Sequence, residues 1–386
     1  MLIENSKCTA CYLCVNICPK NCIKMEKNDI GEIHPVIDTE RCIGCNLCSS
    51  KCPQLTPIKK YLVKNTYASI SKNENQLKKS TSGGITSEIA KYVISHNGIV
   101  YATIMEELVA HFERITNLDG ILNISGSKYI HSWFGENLRK IKEDVINGKI
   151  VLVIGMPCQI AAVRAYLGKK YMNLFTIDLF CHGTPAQENF RCGVDLETNE
   201  KDVKNVKFRD GKDYKLIITK KDGSKLTIPY RRSYWFNGFV EGYLFRECCY
   251  SCRYASEMRV ADISIGDFWG LGSVYKTNLD ITTGVNAVLI NTEQGEELFK
   301  HLKRNIYIEE HTLDEVKKYN HPLNSPAKKP REYVRFKKLS QKYGNKIAIL
   351  FAYPKKSMYI FFRRCLSRIA FLYRILKKIP VISDKI

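Results

Sequence analysis

"CTACYLCVNICP" (residues 8–19) and "CIGCNLCSSKCP" (residues 42–53) are two copies of one motif. The cysteines of the second copy follow those of the first at an offset of 34 residues, and both copies end on Cys-Pro. In a C-x2-C-x2-C-x3-C-P run, three thiolates wrap one 4Fe–4S cubane and the fourth binds the partner cluster. The repeat therefore predicts a small domain of the two-cluster ferredoxin type.

The crossed use of the fourth cysteine predicts two ligand sets. They are Cys8, Cys11, Cys14 and Cys52 for one cluster, and Cys42, Cys45, Cys48 and Cys18 for the other. Zinc also takes four thiolates, but its sites usually combine two C-x2-C pairs across a longer spacer. Cys22 falls outside the repeat, and we expect it to pack rather than to bind a cluster.

The composition of the rest of the chain limits which class of protein this can be. Its 386 residues contain 16 cysteines, and no signal peptide or run of about eighteen apolar residues precedes or follows the repeat. Clustered thiols without such a leader favour metal binding in the cytoplasm. The net charge of +21 suggests nucleic-acid binding as one interpretation. Residues 301–386 carry +15 of this charge, so the positive charge is concentrated in the tail and not in the rest of the protein. We therefore do not expect nucleic acid to be a partner.

Buried strands alternate with helices in the middle of the chain. "KIVLVIGMPCQIAAVRAYL" (149–167) reads as strand, sharp turn and helix, and "NLFTIDLFCHGTP" (173–185) as a strand meeting a loop. Continuous apolar strands of this kind belong to parallel sheets, whose ligands bind at the carboxyl ends of the strands. The predicted fold is α+β. A ferredoxin domain (1–56) and a connector (57–79) precede an α/β domain with a mostly parallel sheet (80–300), and a basic helical tail (301–386) follows.

Four further cysteines are candidates for a third site. Cys158 and Cys181 each follow a strand and should meet at one edge of the sheet, and Cys249 and Cys252 form a C-x2-C pair. A thiol at a helix N-terminus has a lowered pKa, which we expect for Cys158. Four thiolates suit either a third 4Fe–4S cluster or zinc, and the spacing leaves both open. Cys192 and Cys365 are expected to behave as small hydrophobic residues.

A small-residue loop, "STSGG" (80–84), opens a predicted helix, and its free N–H groups favour phosphate binding. This loop, "GSKYIHS" (126–132), the two cysteine-bearing segments and "CCYSCRYASEMRVADISIGDFWG" (248–270) occur in order. Together they resemble the beta subunit of coenzyme F420 hydrogenase and dehydrogenase over roughly residues 65–300. An N-terminal dicluster ferredoxin domain is fused in front of that region.

The resemblance implies an iron–sulfur flavoprotein. It assigns FAD binding to Ser82, Gly83, Gly84, Ser127, Lys128 and Tyr129, and it assigns cluster ligation to Cys158, Cys181, Cys249 and Cys252. Cys248 leaves a one-residue ambiguity in the last pair. The deazaflavin coenzyme in the family's name is absent from most bacteria, and nothing in the sequence identifies a pocket for it. Chains of this layout also resemble members associated with bacterial surface-polysaccharide pathways.

The predicted function is electron transfer between the ferredoxin-type clusters and FAD, with hydride exchange with an organic substrate. The alternative is a non-catalytic subunit that supplies electrons to a catalytic partner. A redox partner protein or soluble donor is expected in either case. His182 and Asp267 are the candidate acid or base groups, and a structural role is the competing reading for each.

Residues 358–380 follow an amphipathic pattern. The predicted basic side is Arg363, Arg364, Arg368, Arg374, Lys377 and Lys378, and the predicted apolar side is Phe362, Cys365, Leu366, Ile369, Leu372, Tyr373, Leu376 and Ile379. Such a helix either packs on its own protein or lies on an anionic membrane at the inner face of the cell membrane.

Overall fold

The computed structural model describes residues 3–376, with side chains described for residues 3–366. The strands are β1 Ile23–Lys27, β2 Ile33–Ile37, β3 Asn65–Ser71, β4 Ile99–Glu106, β5 Val109–Ile115, β6 Val151–Gly155, β7 Leu174–Leu179, β8 Val203–Asp210, β9 Asp213–Lys220, β10 Lys225–Pro229, β11 Ile263–Asp267, β12 Asn286–Ile290 and β13 Ile306–His311. The helices are α1 Leu13–Ile17, α2 Leu47–Ser50, α3 Glu74–Lys79, α4 Ile85–Ser95, α5 Gly120–Ile124, α6 Asn137–Ile146, α7 Pro157–Leu167, α8 Gln187–Asp195, α9 Tyr234–Val240, α10 Glu293–Lys300, α11 Leu313–Tyr319, α12 Arg331–Tyr343, α13 Asn345–Phe351 and α14 Pro354–Leu376. Short 3₁₀ turns cover Glu200–Asp202, Tyr230–Arg232, Glu247–Ser251 and His321–Leu323.

The sequence repeat is also a backbone repeat. Helix α1 starts at Leu13 and α2 at Leu47, again 34 residues apart. Tyr12 and Asn46, which precede these helices, both have positive φ (63° and 56°). Positive φ is uncommon for residues with a Cβ, and it turns the chain sharply between the second and third cysteine of each copy. The hairpin of β1 and β2 joins the copies.

An eight-stranded sheet forms the centre of the molecule. Its strand order is β13-β3-β12-β11-β7-β6-β4-β5. The four strands β11, β7, β6 and β4 run parallel, and every flanking pair is antiparallel. The sequence "VLVIG" of β6 is buried at all five positions, as expected for a strand with helices on both faces.

The predicted fold class is confirmed, and the sheet is more mixed than the sequence suggested. Strand β3 comes from the predicted connector (57–79) and β13 from the predicted tail (301–386). Both pair antiparallel, and β13 forms one edge of the sheet. Their polar residues give a weaker sequence signal than the continuous apolar runs of the parallel strands. The sheet therefore recruits strands from both sides of the predicted 80–300 domain.

A second, three-stranded sheet of β8, β9 and β10 packs with helices on an aromatic core. Trp235 and Phe236 of α9 lie at its centre together with Tyr333 and Phe336 of α12. Helix α12, which comes from the predicted tail, is thus part of this core. Cys192 also packs here, beside the buried aromatic residues.

Helix α14 packs on this core through some of its side chains and exposes others. Ile360 is buried, and the guanidinium of Arg364 donates to both carboxylate oxygens of Glu197 at 2.6 Å. Phe362 and Leu366 are exposed, and Cys365 is half-buried. The side chains from residue 367 onward, including the remaining residues of both predicted faces, lie outside the described side chains. In the part of the chain that the structure describes, no helix is long and apolar enough to cross a membrane.

Candidate functional site

The first predicted ligand set lines one enclosed space in the N-terminal domain. Cys8, Cys11, Cys14 and Cys52 surround it, and Cys48 reaches the same wall. Burial raises the pKa of Cys8 to about 11 and that of Cys11 to about 12. Thiols with such pKa values ionise when a metal replaces the proton on sulfur. The donor set and its enclosure fit a 4Fe–4S cluster.

The second predicted set lies at the surface. Cys42 and Cys45 are exposed, Cys48 is half-buried and Cys18 is buried. The Sγ atom of Cys18 lies 3.3 Å from that of Cys22. Cys22, which the sequence assigned to packing, is buried and also contacts a predicted ligand.

The third predicted set meets at the carboxyl edge of the parallel strands. Cys158 lies in the first turn of α7, directly after β6, and Cys181 follows β7. The 3₁₀ turn Glu247–Ser251 and the residue after it supply Cys249 and Cys252. These four thiols and Cys248 line one cavity, which we call the thiol cavity. Cys248 and Cys249 both line it, so the one-residue ambiguity in the predicted pair stays open.

The expected low pKa of Cys158 is wrong. Burial raises it well above the ordinary value, and the neighbouring Cys181 and Cys252 raise it further. Burial likewise raises the pKa of Cys181 to about 12. Desolvation in this cavity outweighs the helix dipole, which falls off within the first turn. Among the described residues, no three His, Cys, Asp or Glu side chains converge as the ligands of a single metal ion do.

Arg259 joins the two parts of the chain that carry these thiols. Its Nη2 donates to Asp178 Oδ1 of β7 at 2.7 Å, and both side chains are fully buried. Its Nη1 donates to the backbone oxygens of Tyr254 and Ser256, which follow Cys252. The ion pair therefore fixes the C-x2-C segment against the strand that precedes Cys181. Sequence reasoning missed this residue, whose only signal was a basic residue seven positions after the pair.

A larger cavity of about 620 Å³, the main cavity, adjoins the thiol cavity. Five of the six predicted flavin-binding residues line it: Ser82, Gly84, Ser127, Lys128 and Tyr129. Gly83 packs behind them, because a Cβ there would lie 2.4 Å from the backbone oxygen of Ser69. A hydrogen bond of 2.9 Å between Thr81 and Ser127 joins the two predicted segments.

Two features of the main cavity fit an anionic cofactor. Lys128 is half-buried, and its Nζ donates to the backbone oxygens of Ile124, Ser125 and Gly126. Burial lowers its pKa to about 8. The Ser82 hydroxyl is buried and has no hydrogen-bond partner among the described residues. A diphosphate next to the N-terminus of α4 would accept a hydrogen bond from the Ser82 hydroxyl, and its negative charge would offset the positive charge of Lys128.

The main cavity and the thiol cavity share a wall. Met156 and the four consecutive residues from Cys181 to Thr184 line both cavities. His182 is exposed to the main cavity and packs edge-on against Phe245, with ring centroids 4.6 Å apart. Desolvation by the surrounding protein lowers its pKa to about 4. His182 is therefore neutral at pH 7.

Asp267, the other candidate acid or base, is held in an ion pair. Its Oδ2 accepts from Arg209 Nη1 at 2.7 Å, and Arg209 is almost fully buried beside the Tyr214 ring. Both residues line the main cavity.

The thiol cavity also reaches the N-terminal domain. Thr9 lines it, and the backbone oxygen of Thr9 is 3.2 Å from His131 Nε2. Arg246, which is fully buried, lines the same cavity and donates from Nη2 to the backbone oxygens of Cys8 and Ile33. The two-cluster domain, the thiol cavity and the main cavity therefore lie in a continuous series.

Two family models match the chain. Residues 7–55 match the 4Fe-4S dicluster domain, and residues 148–316 match the C-terminal region of the coenzyme F420 hydrogenase/dehydrogenase beta subunit. The second match starts beyond the small-residue loop and the GSKYIHS segment. It includes all the cysteines of the thiol cavity.

Among solved structures, the chain is similar to one chain of the F420-reducing [NiFe] hydrogenase complex from Methanosarcina barkeri, studied as a xenon derivative. The two are 21% identical with a TM-score of 0.47, and the similarity covers 69% of this chain and 89% of that one. No curated protein matches the chain. The predicted resemblance is confirmed by the family models, and the chain is an iron–sulfur electron-transfer protein that joins a 4Fe–4S dicluster domain to a domain of the coenzyme F420 hydrogenase/dehydrogenase beta-subunit type.

Proposed function

We propose that the protein is a flavin-dependent iron–sulfur oxidoreductase. It passes electrons between two 4Fe–4S clusters in the N-terminal domain and FAD in the main cavity, through a third cluster in the thiol cavity. Bound FAD would supply hydride exchange with an organic substrate and single-electron exchange with a cluster, and the residues of the two cavities would position the two groups. The observation that carries this proposal is the wall shared by the thiol cavity and the main cavity.

The ligands in this proposal are those expected from the sequence. The eight cysteines of the repeat bind the first two clusters, and the thiol cavity supplies Cys158, Cys181, Cys252 and one of Cys248 and Cys249. Ser82, Gly84, Ser127, Lys128 and Tyr129 bind FAD, and Gly83 allows the loop to pack closely. Neutral His182 lies in the shared wall, where it can donate or accept a hydrogen bond without adding charge.

The second candidate function is that of an electron-transfer subunit with a catalytic partner. The matching family model describes a subunit, and the loop around Cys42 and Cys45 is exposed. Exposed ligands bring a cluster within reach of another protein. A place in surface-polysaccharide biosynthesis is a further proposal and would supply the organic substrate in the first case.

A cofactor inventory tests the proposal. After anaerobic purification we expect iron, acid-labile sulfide and released FAD, with about one third of the iron missing in Cys158→Ser, since one of three four-iron clusters is lost. Cys192→Ser, whose thiol packs in the aromatic core, should keep all of it. Zinc without iron or flavin would refute the proposal. Turnover by the isolated chain with a reduced dye and candidate substrates separates the enzyme from the subunit.

A further inference from the structure

A basic groove continues outward from the main cavity. It lies between the 3₁₀ turn Tyr230–Arg232 and the start of α14. The groove has a nearer part beside residues 213–215 and a farther part beside Lys355 and Lys356. Tyr230 lines the main cavity and both parts, and Tyr214 lines the main cavity and the nearer part. The basic residues of the groove are Lys215, Arg231, Arg232, Lys355, Lys356 and Arg363, and its acidic residues are Asp213 and Glu241. The groove is therefore strongly positive next to the proposed site of chemistry.

Most of this charge is uncompensated. Lys215 pairs with Asp213 at 2.8 Å, and Lys356 pairs with Glu241 at 2.6 Å. Arg231, Arg232, Lys355 and Arg363 have no carboxylate within 4 Å in the described part of the chain. Like charges held in one groove repel one another, and an anionic ligand would relieve that repulsion.

Two of the arginines are held in place by tyrosines. Arg231 Nε donates to the Tyr230 hydroxyl at 2.9 Å, and Arg363 Nη1 donates to the Tyr359 hydroxyl at the same distance. Each guanidinium also lies over the ring of its tyrosine. The remaining N–H groups of both arginines have no acceptor among the described residues. A guanidinium fixed in this way presents a planar fork, which matches phosphate oxygens.

We infer that this groove binds phosphoryl groups of the substrate, so that the substrate is a phosphate- or diphosphate-bearing organic molecule. Its reacting part lies in the main cavity and its phosphoryl part lies along α14. The inference rests on the proposed function for the identity of the main cavity. One wall of the groove, formed by Tyr230–Arg232, lies inside the matched residues 148–316, and the other wall, formed by α14, lies outside them.

Binding measurements test the inference without turnover. Inorganic pyrophosphate is titrated calorimetrically into the anaerobically purified full chain, and vesicles of phosphatidylcholine with phosphatidylglycerol are sedimented with it. We expect the double variant R231Q/R363Q to bind at least about tenfold more weakly, because two charge-assisted contacts are lost. The control R304Q/R335Q removes the same charge from exposed positions outside the groove and should bind like the wild type.

The two arms distinguish the source of the phosphate. Arginine-dependent binding of pyrophosphate supports a soluble phosphorylated substrate, and arginine-dependent binding of vesicles alone supports a lipid-linked one. Binding in neither arm, or equal weakening in both double variants, overturns the inference. Because the readout is binding, its failure is separate from a failed cofactor inventory, which would refute the proposed function instead.

Discussion

Replacing Arg259 with methionine should destabilise the protein by about 3–5 kcal/mol, because it breaks a buried ion pair and leaves the buried Asp178 side chain without its partner. The exposed fractions of the two side chains are 1% and 0%, so water cannot take over the lost contact. The Arg259 side chain also donates to the Tyr254 and Ser256 backbone oxygens and to the Ser264 hydroxyl. Methionine fills part of the space but replaces none of these donors.

The loss of stability predicted for Arg259→Met corresponds to a measurable shift of the urea midpoint. With a urea slope of about 3 kcal/mol per molar, the midpoint of unfolding falls by about 1–1.7 M. Anaerobic pulse proteolysis across a urea series measures this midpoint on the cluster-containing protein. The control is Lys64→Met, which removes an exposed ion pair with Glu293 and should cost about 0–1 kcal/mol.

A double variant tests the cause. Asp178→Leu together with Arg259→Met removes both charges and should be less destabilising than the two single changes added together. We also expect Arg259→Met to lose iron from the thiol cavity while the N-terminal clusters remain. A midpoint shift no larger than that of Lys64→Met, with full iron content, would refute the claim that this ion pair holds the cavity together.

Three other predictions rest on single contacts. Lys128→Met should weaken FAD retention by about tenfold or more, since it removes a positive charge from the main cavity and three hydrogen bonds that hold residues 124–126. Exposed Lys140→Met should not, and fluorescence of flavin released after gel filtration measures the difference. Gly83→Ala should lower the free energy of unfolding by about 1–3 kcal/mol and lower the FAD content, because the added Cβ meets backbone atoms of β3 and β12. The urea midpoint and the flavin assay measure the two effects. Although burial opposes it, the hydrogen bonds from Arg114 keep the pKa of Asp144 below its ordinary 3.8. The stability lost in Asp144→Asn should therefore be constant above about pH 5 and shrink in more acidic buffer, which urea midpoints at several pH values would show.

The sequence identified local and periodic features well. The cysteine repeat predicted the N-terminal domain, and the structure repeats it down to the backbone turns at Tyr12 and Asn46. The apolar runs of β6 and β7 predicted where Cys158 and Cys181 meet, because the carboxyl ends of parallel strands share an edge.

Features that depend on distant contacts escaped prediction. Burial reverses the pKa shift expected for Cys158, and burial is set by segments nearly a hundred residues further along the chain. Arg246 and Arg259 look like surface residues in the sequence, yet both are buried between the thiol cavity and its surroundings. Strand β3 lies in a segment that the sequence assigned to a connector, and its place in the central sheet depends on its pairing with β12 and β13.

The central claim is that electrons reach the main cavity through the thiol cavity. Stopped-flow mixing of the anaerobic protein with reduced methyl viologen, followed at the flavin and cluster absorbance bands, tests it most directly. We predict that Cys181→Ser keeps rapid reduction of the N-terminal clusters but slows flavin reduction, while Cys192→Ser behaves like the wild type. Flavin reduction at an unchanged rate in Cys181→Ser, or a purified protein without flavin, would contradict the account.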